Sequence, residues 1–120
     1  MANPFVHVEL MSTDVDKAKA FYGQMFDWQL DDVDMGDMTY TVIKVGNGTG
    51  GGIMKNPVPN APSMWMPYIL VENLATATAK AKSLGAPAMK EMQEVPGMGR
   101  FSIITDPAGA MLALWEPKTE

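Results

Sequence analysis

The chain has 120 residues, no cysteine, and 14 acidic against 9 basic side chains, for a net charge of −5. These values exclude disulfides, thiolate nucleophiles and cysteine-ligated zinc, and they supply no cationic track for nucleic acid. The length suits one domain that buries roughly two-thirds of its unfolded surface, and no apolar run approaches the length of a membrane span.

The opening residues MANPFVHVEL hold no basic stretch followed by an apolar core. No secretion signal is therefore expected, and a cytoplasmic location is the economical reading. An acidic balance suits neutral or cationic small molecules, although solubility alone accounts for it equally well. Twelve methionines are many for this length. Their flexible, polarisable side chains fill irregular cores or mould adaptable pockets, and both readings stay open.

In chain order, Phe5 to Met11 reads as a strand with Phe5, His7 and Glu9 on one face and Val6, Val8 and Leu10 on the other. Asp14 is placed to accept from the unpaired amides of a first helical turn. The helix Val15 to Phe26 carries apolar residues at i, i+3, i+7 and i+10. Three short strands follow, Trp28 to Val33, Met38 to Val45 and Gly51 to Lys55, the last two joined by the glycine cluster Gly46 to Gly52. The proline-rich segment Asn56 to Pro62 can sustain neither a helix nor a central strand and reads as a linker. Trp65 to Val71 is then a strand, and Asn73 caps a helix Leu74 to Leu84 that stops at Gly85. Ala88 to Val95, Arg100 to Thr105 and Ala110 to Trp115 are three more strands, turned at Pro96-Gly97 and at Asp106-Pro107-Ala108-Gly109.

This order is βαβββ twice over, and the residues themselves repeat. HVELMSTDVDKAKAFYGQM, starting at His7, lies over MPYILVENLATATAKAKSL, starting at Met66, at a constant offset of about sixty positions. Val15, Ala18, Tyr22 and Met25 fall on Leu74, Ala77, Ala81 and Leu84, and Asp14 falls on Asn73. Further on, Tyr40 to Met54 lies over Phe101 to Trp115. The organisation is one domain, residues 1–120, with unit one at 4–55, a linker at 56–63 and unit two at 64–116. A helix covers one side of each unit's strands, so the other side must meet the sister unit or a ligand.

Gly46-Asn47-Gly48-Thr49-Gly50-Gly51 satisfies GxGxxG in form. A dinucleotide fingerprint needs a helix opening at the third glycine, and the chain continues instead into Ile53, Met54 and Asn56-Pro57, so a flexible hairpin is the better reading. The single histidine, His7, belongs to no hydrolase triad, since no GxSxG elbow appears. Glu9 projects from the same strand face, and the pair could share a proton or form part of a metal site.

His7, the Phe21-Tyr22 pair, Val71-Glu72-Asn73, and Arg100-Phe101 through Asp106-Pro107-x-Gly109 to Leu114-Trp115-Glu116 together resemble the glyoxalase, bleomycin-resistance and extradiol-dioxygenase group. This is the vicinal oxygen chelate superfamily, and the resemblance covers nearly the whole chain. The stretch VELMSTDVDKAKAFYGQMFDW is especially similar to hydroxylase-like members. The resemblance implies an α+β fold, two tandem βαβββ units forming a curved mixed sheet with a concave cleft. It also implies a homodimer or a self-contained pair of units.

In metal-using members the first and fourth strands of each unit present His or Gln, Glu, His and Glu around a divalent ion. Carried over position by position, that quartet becomes His7, Gly52, Met66 and Ala113. One ligand position of four is retained, so no metal is expected and no cofactor is implied, although a weak divalent site remains conceivable. Glu9 is the available second donor, with Tyr68 as its repeat counterpart. Glu116 lies at an odd offset from Ala113 and faces the other way.

Small residues at 52 and 113 are expected to leave room, with Met54, Met66, Met111 and Trp115 as apolar walls and His7, Glu9 and Tyr68 as polar groups. Such a lining describes a small-molecule pocket, or else side chains that simply fill the cleft. The leading expectation is a binder of a small apolar or aromatic molecule, such as a ligand-sequestering protein. One rival is a lactoylglutathione-lyase-like or dioxygenase-like enzyme (lyase or oxidoreductase) using His7 and Glu9 as catalytic residues at a reduced metal site. Another is a ligand-sensing or structural subunit.

Overall fold

The computed structural model describes residues 2–118. The first repeat runs β1 (Phe5–Ser12), α1 (Val15–Met25), β2 (Gln29–Asp34), β3 (Thr39–Lys44) and β4 (Gly51–Lys55). The second runs β5 (Met64–Leu70), α2 (Leu74–Ser83), β6 (Ala88–Val95), β7 (Gly99–Thr105) and β8 (Met111–Pro117). The strand order is β2-β3-β4-β1 in one repeat and β5-β8-β7-β6 in the other. In both, the first strand pairs with the fourth in parallel and the remaining pairs are antiparallel. The fold is α+β with mixed strand pairing, as the resemblance implies. Two compact units result, one holding His7–Met66 and the other Pro67 onward together with the residues before His7.

Both helices start as the repeat predicts. Asp14, in extended backbone, accepts from the Lys17 amide at 3.0 Å, and Asn73 does the same for the Thr76 amide at 3.0 Å. Each side chain satisfies one of the amides that a first turn leaves unpaired. α1 ends one residue earlier than its apolar spacing suggests. Phe26 turns to extended backbone, with its amide still bonded to the Tyr22 carbonyl.

The first-repeat core sits between α1 and one face of its strands. Leu10, Ile43 and Ile53 are buried there, with Val15, Ala18, Tyr22, Trp28, Leu30 and Val45 packed on them. The second core places Leu74, Ile104 and Leu114 in the same way under α2, with Ala77 and Ala81 against them. The fourth member of each helical stripe departs from expectation. Met25 and Leu84 lie in the last turn or just past it and are largely exposed, outside both buried clusters. Thr78, by contrast, is buried on α2, donating to the Leu74 carbonyl at 2.7 Å, with its oxygen also 2.9 Å from the Ser102 hydroxyl.

Candidate functional site

In the first repeat, alternation along the strands sends Leu10, Ile43 and Ile53 toward α1 and their neighbours the other way. Glu9 lies opposite Gly52 across the parallel β1–β4 pair, and Gly52 lies opposite Val42 across β3–β4. His7, Glu9, Gly52 and, two residues along from Val42, Tyr40 therefore share the face that α1 leaves uncovered. A β-carbon at position 52 would overlap the Tyr40 ring and hydroxyl. Glycine is required here because the phenol lies directly over the backbone.

The Tyr40 hydroxyl joins the two polar candidates. It donates to Glu9 Oε1 at 2.9 Å and lies 2.7 Å from His7 Nε2, with the His7 and Tyr40 rings near parallel. Glu9 is buried and His7 partly so. Burial pushes the imidazole below its ordinary pKa, because the charged form loses hydration. With the single phenolic proton directed to Glu9, the tyrosine oxygen is the acceptor toward His7. The neutral ring then carries its proton on Nε2.

A divalent ion asks for three or four converging protein donors. Among the described residues no group of three His, Asp or Glu side chains forms such a cage. His7 and Glu9 have a phenol hydroxyl between them and the Gly52 position has the Tyr40 ring over it, so these residues do not fit a resident metal.

The second repeat carries an apolar counterpart. Tyr68 lies opposite Ala113 on the β5–β8 pair, and Phe101 lies opposite Trp115 on β7–β8. The Tyr68 ring sits 6.0 Å from Phe101 and 6.3 Å from Trp115, centroid to centroid. Tyr68 is buried and Ala113 fully so. The room expected at positions 52 and 113 is thus taken, by Tyr40 in one case and by close burial in the other. Met54 sits two residues beyond Gly52, opposite Met11, and Met111 two before Ala113, opposite Thr105; both are partly exposed, while Met66 is fully buried.

Glu116 points away from this face, as its offset predicts. It accepts the Leu74 amide at 2.8 Å and pairs with Arg100 at 2.9 Å, closing the start of α2. The glycine cluster also follows its sequence reading, since Gly51 opens β4 rather than a helix.

Sequence reasoning missed Tyr40 and Phe101. The repeat itself held the signal, for these two aromatics occupy the same aligned position and each reaches the residues singled out in its own unit.

Comparison with known proteins gives a family and several relatives. The family model described as "Glyoxalase/Bleomycin resistance protein/Dioxygenase superfamily" matches residues 5–114. CFP32 of Mycobacterium tuberculosis (strain CDC 1551 / Oshkosh), provisionally named a glyoxylase, is 31% identical over 110 residues, covering 91% of this chain and 42% of that protein. The chain spans less than half the length of the curated relatives it matches. Among solved structures, hypothetical protein BH1468 from Bacillus halodurans C-125 superposes with a TM-score of 0.77 at 12% identity, covering 100% of this chain and 98% of that one. Methylmalonyl-CoA epimerase from Mycobacterium tuberculosis gives 0.72 at 17% identity, covering 96% and 88%.

Proposed function

We propose a metal-independent small-molecule-binding role for this chain, which belongs to the Glyoxalase/Bleomycin resistance protein/Dioxygenase superfamily. The observation that carries this reading is the Tyr40 hydroxyl, which bridges His7 Nε2 and Glu9 Oε1 above Gly52. The Gly52 position would hold a ligating side chain in metal-using members, and a phenol covers it here. His7 is then an orienting group for an organic ligand rather than for an ion. Within this unit, the near-parallel rings of His7 and Tyr40 suit a small apolar or aromatic ligand. Sequestration fits such a site, and a cytoplasmic homodimer completes the proposal.

The same three side chains support a second reading. Carboxylate, phenol and imidazole form a continuous hydrogen-bonded chain, and such a chain can relay a proton to or from a bound molecule. A glyoxalase-like lyase or isomerase would use it that way, in keeping with the name given to CFP32 and with the epimerase fold relative.

Metal analysis and native mass spectrometry of untagged protein test the two together. The proposal expects sub-stoichiometric Zn, Ni, Mn and Fe, and no stimulation of hemithioacetal isomerisation by these ions. One tightly held equivalent of metal, lost in His7→Ala, would overturn it in favour of the enzyme.

A further inference from the structure

The α1 side of the first repeat holds a second feature, unrelated to His7 and Glu9. Beyond the end of α1 lies a recess of about 280 Å³ lined by Val8, Trp28, Ile43, Val45, Gly50 and Trp65, among others. A wider one of about 640 Å³ shares Trp28, Ile43, Val45 and Gly50 with it and adds Asp27, Gln29 and Lys44. The shared lining makes them one hollow with an apolar inner end and a polar mouth. Its size is that of small-molecule sites. Val8 and Ile43 point to the α1 side of their strands, so this hollow is separated from the Tyr40 hydroxyl by the sheet itself.

Its indole walls are held in place before any ligand arrives. Tyr22, from α1, stands 5.7 Å from Trp28 and near parallel to it, and 5.5 Å from Trp65 and edge-on. Phe26 backs Trp28 at 4.7 Å. Trp65 nevertheless remains 38% exposed and Phe26 43%. Tyr22 and Trp28 pack on the first-repeat core, whereas Trp65 and Phe26 extend the aromatic surface beyond it into the open. At the mouth, Lys44 is paired with Asp31 at 3.0 Å, and Asp27 stands nearby. Mixed and partly neutralised charge there favours an uncharged hydrogen-bonding group over an anion or a cation.

We infer that this hollow is a second ligand site, taking a planar aromatic molecule of about two fused rings with a phenol-like hydroxyl at its outer end. The rings pack against Trp28 and Trp65, face-on to one and edge-on to the other because the two indoles are steeply inclined, and the hydroxyl meets Gln29 and Asp27.

The three tryptophans give a direct test, because Trp28 and Trp65 line the hollow whereas Trp115 lies in the other repeat beside Tyr68 and reports on that region separately. The intact protein, labelled with ¹⁵N, is titrated with 2-naphthol while the three indole N–H resonances are followed. The Trp28 and Trp65 signals should shift together and saturate on one isotherm, distinct from any response of Trp115. Trp65→Ala removes a partly exposed ring and should weaken binding threefold to tenfold by the loss of one aromatic wall. Any one of three results overturns the inference. Naphthol could shift Trp115 instead of the other two, or shift none of them saturably. Alternatively, the Trp28 and Trp65 signals could respond to protein dilution and not to naphthol, which would give the surface to a second copy of the chain. The outcome is independent of the Tyr40 proposal, since neither residue that Tyr40 bridges touches this hollow.

Discussion

Tyr40 stands over Gly52, on the neighbouring strand, closely enough that no side chain fits at position 52 while the phenol keeps its place. Gly52→Ala should therefore displace the ring, break both bonds to the Tyr40 hydroxyl, and cost about 1–3 kcal/mol as other overpacked sites do. The cost should largely vanish when Tyr40→Ala is already present. A double-mutant cycle read by urea denaturation measures that coupling. Strictly additive penalties would show that the two positions do not contend for one space.

Tyr40→Phe keeps the ring and removes the hydroxyl. Buried Glu9 then loses this donor and His7 loses its acceptor, a change worth about 1–3 kcal/mol. The imidazole should also report it, through a shift in its NMR titration midpoint between parent and variant. An unchanged midpoint, together with unchanged stability, would mean that the bridge is not formed in solution.

Ala113 lies opposite Tyr68 and is fully buried. A small residue at the family's last ligand position suggested, from sequence, a space that an added ring could enter without strain. The burial reverses that expectation. Ala113→Phe should lower the unfolding midpoint by an amount equivalent to about 1–3 kcal/mol. A variant that melts with the parent would restore the open-space reading.

Much of this was legible because the chain says most things twice. Helix starts at Asp14 and Asn73 and the outward aim of Glu116 follow from short-range chemistry, the former read in duplicate. The exposed Met25 and Leu84 were not legible. Periodicity gives the direction of a side chain but not whether a buried cluster lies there to receive it. Tyr40 was missed for a related reason. A tyrosine in an apolar strand reads as core, and only the glycine opposite its neighbour tells that its ring lies across the partner strand. The hollow at Trp28 and Trp65 depends on residues brought together from β1, the α1–β2 connection, β3 and β5, so no local pattern could announce it.

Thr78 is a polar residue on the covered face of α2, at a position where spacing alone would accept any small side chain. Thr78→Val conserves shape and removes the hydroxyl that donates to Leu74 and pairs with Ser102. Ser102 retains the Met92 amide as a donor at 3.1 Å, so the hydroxyl is not left wholly unpaired. The expected cost is about 1–2 kcal/mol in denaturant unfolding. A stabilised Thr78→Val variant would show that the pair is tolerated rather than favourable.

Glu116 gives the clearest pH signature. The Leu74 amide, at the start of α2, is the largest influence holding its carboxyl below the usual glutamate range; Arg100 adds a hydrogen bond and an opposite charge, and burial opposes both. A group whose folded pKa is depressed binds fewer protons folded than unfolded, so it stabilises above the unfolded value of about 4.3 and loses that contribution as pH falls through the folded value. Glu116→Gln can still accept the Leu74 amide through its carbonyl oxygen, but it cannot titrate or pair with Arg100 as an ion. The parent should therefore have the higher urea midpoint at pH 6 to 7, and the gap should close progressively below about pH 4.3. Moderate salt should narrow the gap at neutral pH, because both partners are partly exposed. A gap that stays constant from neutral pH down through acid would remove ionisation from the account and leave Glu116 as a neutral cap.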